Sequence, residues 1–248
     1  MIFATGDTHG NFQRFKSEYF PEQANMTRSD YVIICGDFGG VWDGSRQEEK
    51  LLDKLEQFPF TTLFVDGNHE NFDRLMEYPI EEWHRGKVHF IRPHVIHLMR
   101  GQVFEIDGYT FFTMGGAQSH DIADGILDPA APDFERQFFH MRRKGLRFRV
   151  NHQSWWELEL PNDVEYEEAI RNLERNNYAV DYVVTHCAPS SIVDTLSSGG
   201  YGHDRLTDFL EKVKEKSRFH YWLFGHYHDN KIIDARHVLL WEQIVRIV

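Results

Sequence analysis

Five short stretches of this 248-residue chain set carboxylate, imidazole or amide groups directly after an apolar run. In "ATGDTHGNF" the groups are Asp7 and His9, two positions apart. Side chains of an extended segment alternate faces, so this spacing turns both the same way, and a carboxylate beside an imidazole can hold a divalent metal. Asp37 follows "DYVIICG", Asn68 and His69 follow "TTLFVDG", His186 follows "DYVVT", and His226 and His228 follow "HYWLFG". One Asp-x-His pair alone is more readily a polar turn than a ligand pair. Five run ends carrying the same restricted chemistry point to a shared site.

The runs are continuous and rich in β-branched and aromatic residues, the pattern of strands buried on both faces. Helical stretches lie between them: in "SRQEEKLLDKLEQF", Leu51, Leu52, Leu55 and Phe58 recur at helical spacing. Alternating strand and helix predicts an α/β class, in which functional groups gather in the crevice beyond the carboxyl ends of the strands. From Val88 to Ala117 short strand-like pieces replace the alternation, punctuated by Gly101 and by the turn signal Asp107-Gly108. They predict a hairpin-rich second sheet, with the closing "KIIDARHVLLWEQIVRIV" pairing to it. Residues 164 to 177 and 204 to 216 predict amphipathic helices, the second burying Leu206, Phe209, Leu210 and Val213.

In order along the chain, "GDTHG", "GDFGG", "GNHE", "THCAP" and "GHYH" resemble the motif blocks of the calcineurin-like metallophosphoesterases, from residue 5 to residue 228. The resemblance implies a four-layer α/β/β/α sandwich of the metallo-dependent phosphatase type with a dinuclear metal centre. Carried over by motif, Asp7, His9 and His228 would hold one ion, Asn68, His186 and His226 the other, and Asp37 would bridge them. The implied cofactors are two divalent ions (manganese, iron, zinc or nickel, manganese favoured). The implied reaction is hydrolysis of a phosphomonoester or phosphodiester by a metal-bridging hydroxide, with His69 as general acid on the leaving oxygen. The residue types agree with this assignment, because imidazole and carboxylate suit divalent transition metals. Asn68 adds a neutral oxygen, so two divalent ions outweigh Asp7, Asp37 and one hydroxide and leave the site cationic.

The chain departs from one branch of this resemblance. Phosphoprotein phosphatases read GDxVDRG in the middle block, whereas here Gly40 and Val41 stand at the second Asp and the Arg. The carboxylate that orients the histidine and the arginine that binds phosphate are therefore both missing, and only Glu70 and Asp66 lie near His69 in sequence. Substrate contacts are expected instead from residues 118 to 160, where Arg136, Arg142, Arg143, Arg147 and Arg149 are interleaved with Phe138, Phe139, Phe148, Trp155 and Trp156. Cations among aromatics suit phosphate clamping and stacking, and Arg142, Arg143 and Trp155 are the candidates. A surface helix with a solvated basic face reads equally well from the same residues. His120 could approach the site but reads more readily as a polar loop histidine, and the loop Ser197 to Asp204 is expected to form a rim or lid of the site.

Composition bounds these readings. Residues 1–248 are expected to form one domain, with 118–160 as a substrate-side insertion. A formal net charge of -12 argues against broad attraction to nucleic acid or anionic membrane, so an anionic substrate must be attracted locally. No secretory signal and no apolar run near the length of a spanning helix is visible, and two cysteines, Cys35 and Cys187, are too few for a disulfide framework. A reduced, cytoplasmic protein is the expectation. The rival from another class is a non-catalytic scaffold on the same fold; scaffolds of this kind tend to lack ligands or the histidine of "GNHE", and here all are present. A metallo-β-lactamase-type hydrolase would need an HxHxDH run, which the sequence lacks.

Overall fold

The computed structural model describes residues 1–197 and 201–248, with Ser197 described in its backbone only. The chain runs β1 (Ile2–Thr5), β2 (Tyr31–Cys35), α1 (Arg46–Leu55), β3 (Thr61–Val65), α2 (Phe72–Leu75), β4 (Ile80–Trp83), β5 (Gly86–Arg92) and β6 (Val95–Leu98). It continues through β7 (Gln102–Ile106), β8 (Tyr109–Met114), β9 (Ile126–Leu127), α3 (Phe134–Lys144), β10 (Arg149–Val150) and α4 (Asp163–Arg175). The last third comprises β11 (Tyr182–Thr185), α5 (Ser190–Ser197), α6 (Arg205–Lys216), β12 (Tyr221–Phe224), β13 (Lys231–Ile232), β14 (His237–Leu239) and β15 (Val245–Arg246).

Two large sheets form, in the orders β15-β1-β2-β3-β6-β5-β4 and β13-β14-β12-β11-β8-β7, with β9 and β10 as a separate parallel pair. Alternation along each strand explains why the predicted runs are apolar throughout. In β2, Tyr31, Ile33 and Cys35 face the second sheet, while Val32 and Ile34 face a layer built from α1 and the segment Phe12–Met26. In β11, Tyr182 and Val184 meet the first sheet and Val183 meets α4, α5 and α6. Three apolar cores thus separate four layers, the α/β/β/α arrangement. Helix α1 buries Leu52 and Leu55 fully, with Leu51 and Phe58 packed at the margin. In α6, Leu206, Leu210 and Val213 are buried and Phe209 packs beside them.

The hairpin region is divided where the sequence predicted one sheet. β5 and β6 extend the first sheet, since β6 pairs in parallel with β3, and only β7 and β8 enter the second. The crossing lies at Met99–Gly101, where Arg100 turns inward and its Nε donates to Asp66 Oδ2 at 2.8 Å. Asp107 and Gly108, with φ of 52° and 82°, form the two-residue turn between β7 and β8, as their pairing signal predicts. The C-terminal strands also part company: β14 pairs with β12, and β15 pairs with β1 on the edge of the first sheet. Neither pairs with β7 or β8. The physical reason is that hydrophobic alternation marks a strand but carries no record of its neighbour.

Candidate metal centre

The carboxyl ends of β1, β2 and β3 from one sheet and of β11 and β12 from the other open onto one cleft. Asp7, His9, Asp37 and His228 each bring one ligand atom there, all within 4.8 Å of one another. Nε2 of His9 lies 3.2 Å from Nε2 of His228 and 3.6 Å from Asp37 Oδ2. His186 extends the group inward, its Nε2 3.3 Å from Asp37 Oδ1 and 3.2 Å from Asn68 Oδ1. Its Nδ1 donates to the Cys35 carbonyl at 2.8 Å, which fixes the tautomer and leaves Nε2 to face the cleft. The ring of His226 packs edge-on to that of His186, with centroids 5.0 Å apart.

Asp7 and His9 converge by a route other than the alternation predicted for them. β1 ends at Thr5, and His9 has a φ of 46°. The two groups meet because the chain turns, its amides at Thr8 and His9 donating to the Asp37 carbonyl. Asp37, His226 and His228 likewise have positive φ, of 49°, 71° and 48°. Left-handed backbone at non-glycine residues is uncommon and clusters where a site holds it in place. The glycines before the ligands have a different reason. A β-carbon at Gly67 would overlap the Asp37 carboxylate, and one at Gly225 would overlap that of Asp7.

Electrostatics in the cleft is dominated by burial. Burial works against charge on both Asp37 and His186, yet each holds the other ionised: the Asp37 carboxyl is shifted well below its ordinary range and His186 is raised to about 10. A cation at this position would take over the role of the His186 proton. His226 is driven well below the ordinary imidazole range by burial and then by the charge of His186 and His120. It is therefore neutral, and its Nε2 is buried with no hydrogen-bond partner. Asp7 Oδ2 also makes no hydrogen bond, although His228 Nε2 is 3.1 Å away. Enclosed lone pairs aimed at common space, from imidazole, carboxylate and amide groups, are the donor set that a divalent transition metal fits.

Supporting contacts surround these groups, and sequence reasoning missed them. Asn68 Nδ2 donates to Ser119 Oγ at 3.2 Å, and the Ser119 hydroxyl donates in turn to Glu159 Oε2 at 2.6 Å. That relay points the Asn68 oxygen toward His186. Glu70 accepts from the amides of Phe38 at 2.7 Å and Gly39 at 3.2 Å, tying the Asp37 loop to the Asn68 loop. Burial, reinforced by Asp37, pushes its carboxyl up to about 8. Arg14 donates to the carbonyls of Asp7 at 2.8 Å and Trp241 at 2.5 Å, and the Trp241 ring stacks on His228. These residues lie outside the motif blocks, except Glu70, and only Glu70 carried a sequence signal.

His69 is half-buried, and its amide donates to Asp37 Oδ1 at 2.8 Å. It lines two cavities. One, of about 320 Å³, includes Asp37, Asn68, His120, Asp121, Tyr201, His226 and His228; the other, of about 430 Å³, includes His9, Gly39 and Trp42. His120 stacks on Tyr201 and tilts against His226, so of its two readings the structure bears out the approach to the site. Of the expected rim Ser197 to Asp204, residues 198–200 lie outside the described residues.

The expected substrate contacts are not brought to this cleft. Arg142 and Arg143 line a separate cavity of about 600 Å³ on α3 with Arg136, Phe139 and His140. Trp155 is half-buried in the loop after β10 and lines neither cavity of the cleft. Arg149 is the cation of the 118–160 segment that reaches inward. Its Nε donates to Asp121 Oδ1 at 2.9 Å, and its charge is felt by His69.

Comparison with known proteins agrees with this geometry. The family model for calcineurin-like phosphoesterases matches residues 1–230. Curated relatives include lariat debranching enzyme A of Xenopus laevis, 25% identical over 57% of this chain and 28% of that protein, and the lariat debranching enzyme of Danio rerio, 24% identical over 57% and 27%. The lariat debranching enzyme of Drosophila pseudoobscura pseudoobscura is 23% identical over 92% of this chain and 42% of its own length. The chain therefore spans less than half the length of these relatives. With its motif blocks gathered at one cleft between two sheets, and with the family match running over nearly its whole length, the chain belongs to the calcineurin-like phosphoesterase family, whose members are hydrolases of phosphoric ester bonds.

Proposed function

We propose that this protein hydrolyses a phosphate ester at the cleft, with Asp7, His9 and His228 holding one divalent ion, Asn68, His186 and His226 holding a second, and Asp37 shared between them. The observation that carries the reading is the enclosed, neutral Nε2 of His226, which has no protein partner and faces the space shared by the other donors. Manganese is the favoured metal, and bound divalent ions would supply a deprotonated water at neutral pH and positive charge for the phosphoryl oxygens.

The chain's own residues do the rest. Cys35 and Ser119 hold His186 and Asn68 in the orientations that present their ligand atoms. His69 would deliver a proton to the leaving oxygen. Burial, assisted by the Arg149 cation, holds its imidazole below the ordinary range, which makes the protonated ring a stronger acid. Arg149, paired with Asp121 on the wall of the cleft, is the cation of the 118–160 segment that would meet the substrate phosphate there. Arg142 and Arg143 lie farther out, on α3, and would meet the distal part of an extended anionic substrate, with Trp155 in the segment that links them to the cleft.

We also read residues 1–248 as one domain whose 118–160 segment is a substrate-side insertion; β9, β10 and α3 belong to neither large sheet. A reducing, cytoplasmic setting agrees with Cys35 and Cys187, both free and buried. No helix among the described residues is long and apolar enough to cross a membrane.

The test is turnover of a chromogenic phosphomonoester and the matching phosphodiester by chelator-stripped protein, before and after manganese is added. Restored turnover is expected, and the preferred ester separates phosphatase from diesterase. The relatives' name makes a branched nucleic-acid diester the next substrate to try. Two metals bound per chain with no hydrolysis of any of these esters would overturn the reading.

A further inference from the structure

Trp42 occupies a position that none of the motif chemistry uses. It is half-buried, and it lines the cavity of about 430 Å³ with His9, Gly39 and His69. Its backbone is pinned on both sides: the amide donates to Glu48 Oε2 at 2.7 Å, and the carbonyl accepts from Asn71 Nδ2 at 2.6 Å. The indole meets the ring of Trp156 edge-on, with centroids 5.7 Å apart and planes at 82°. Trp156 is almost wholly buried, and its Nε1 donates to Asp73 Oδ2 at 2.7 Å, which also pairs with His152. Trp42 is therefore a braced aromatic surface at an open cavity, ordered before any ligand arrives.

The two cavities flanking His69 differ in chemistry. The smaller is walled by the candidate ligands Asp37, Asn68, His226 and His228 together with Asp121, Tyr201 and Tyr227, and its ligand side suits the phosphoryl group. The larger offers an indole beside His9 and His69. The group attached to the oxygen that His69 protonates must lie on one side of that histidine, and the Trp42 side has the room and the apolar wall. From this geometry we infer that Trp42 is a specificity-determining residue: it stacks a planar aromatic group, a nucleobase being the commonest one borne by a phosphate ester, on the leaving-group side of the substrate. The inference rests on the phosphoesterase reading for its placement, and it adds the substrate class that reading leaves open.

Adenosine 5′-monophosphate and ribose 5-phosphate carry the same ester oxygen and differ in the base. Titration calorimetry of each into the manganese-loaded full chain is expected to show the nucleotide binding roughly tenfold or more tighter. The preference should collapse to within about twofold in Trp42→Ala and persist in Trp42→Phe, which keeps an aromatic face. Equal affinity of the two compounds for the unaltered protein would overturn the inference without any variant, and so would a preference that survives in folded Trp42→Ala. The two readings fail separately. Base-dependent binding without ester turnover removes the hydrolase and keeps the aromatic platform, whereas metal-restored turnover indifferent to the base removes the platform alone.

Discussion

Two clusters of aspartate and histidine lie close together in this molecule, and they have opposite fates. At the end of β3, Asp66 accepts from Arg100 Nε at 2.8 Å and lies 3.1 Å from His97 Nε2, while His97 Nδ1 faces His89 Nδ1 across the β5–β6 pair at 3.1 Å. Arg100 is fully enclosed and also reaches the Leu158 carbonyl at 2.7 Å and Glu165 at 3.4 Å. None of the buried polar atoms without partners belongs to these four residues. The cleft cluster holds the same residue types without such closure: there, His226 Nε2 and Asp7 Oδ2 lack hydrogen bonds, and among the described residues the ion pairs of Asp7 and Asp37 are with histidines rather than arginine. A buried acid needs a counter-charge. Where an arginine supplies a permanent one, the cluster is structure; where only histidines supply it, as His186 does for Asp37 and His228 for Asp7, and the groups line an opening, the cluster is a candidate site.

Substitutions can break this contrast. Asp37→Asn is expected to reduce metal-restored ester turnover by more than the roughly 10–100-fold that loss of a residue merely supporting a ligand causes. It should also lower the metal content per chain while keeping cooperative unfolding; turnover and elemental analysis on one preparation would show this, and unchanged values of both would remove Asp37 from the centre. Asp66→Asn is expected to do the converse. It leaves Arg100 buried without its main partner, at a cost of about 3–5 kcal/mol in a urea titration, with the metal content of the folded protein unaltered.

The closed cluster should also reveal itself through pH. Burial, together with the neighbouring His97, lowers the folded pKa of His89 to about 4. The unfolded chain takes up that proton near pH 6.5, so the stabilising contribution is complete above that value and is lost as pH falls toward 4, by about 3 kcal/mol at most. Urea midpoints for the unaltered protein and His89→Gln at pH 7 and pH 5 should converge in acid; parallel pH profiles would refute the assignment. The smallest effect is expected at Ser119→Ala, which removes the acceptor that orients Asn68. Metal retention against a chelator should weaken roughly 10–100-fold without loss of fold. Retention equal to that of the unaltered protein would show that Asn68 needs no such support.

Much of the architecture could be read in advance, and the failures share a cause. The five runs that become β1, β2, β3, β11 and β12 are apolar on both faces because each separates two cores, and their pattern needs no knowledge of partners. The Asp107-Gly108 turn is equally local. The division of β5–β6 from β7–β8 depends on Arg100 finding Asp66, a contact between residues 34 positions apart. At the cleft, candidate ligands announce themselves by type and motif, whereas Ser119, Glu159, Arg14, Trp42 and Trp241 carry no such mark, being defined by what they touch. The basic residues of α3 show the other limit of local reading. Their composition suits phosphate, but the helix carries Arg142 and Arg143 to a cavity away from the candidate ligands.

Taken alone, the sequence determines the kinds of groups available, their order, and the alternating apolar character that forces strands between cores. Those properties are local, because side-chain chemistry and backbone preference act within a few residues. Only the tertiary structure decides which aspartate receives an arginine and which is left facing open space, which histidine nitrogen is capped by a carbonyl, and that Trp42 is braced beside His69. Each of these depends on distance and burial among residues far apart in the chain, and both the energy of a buried charge and the reach of a hydrogen bond are set by that packing.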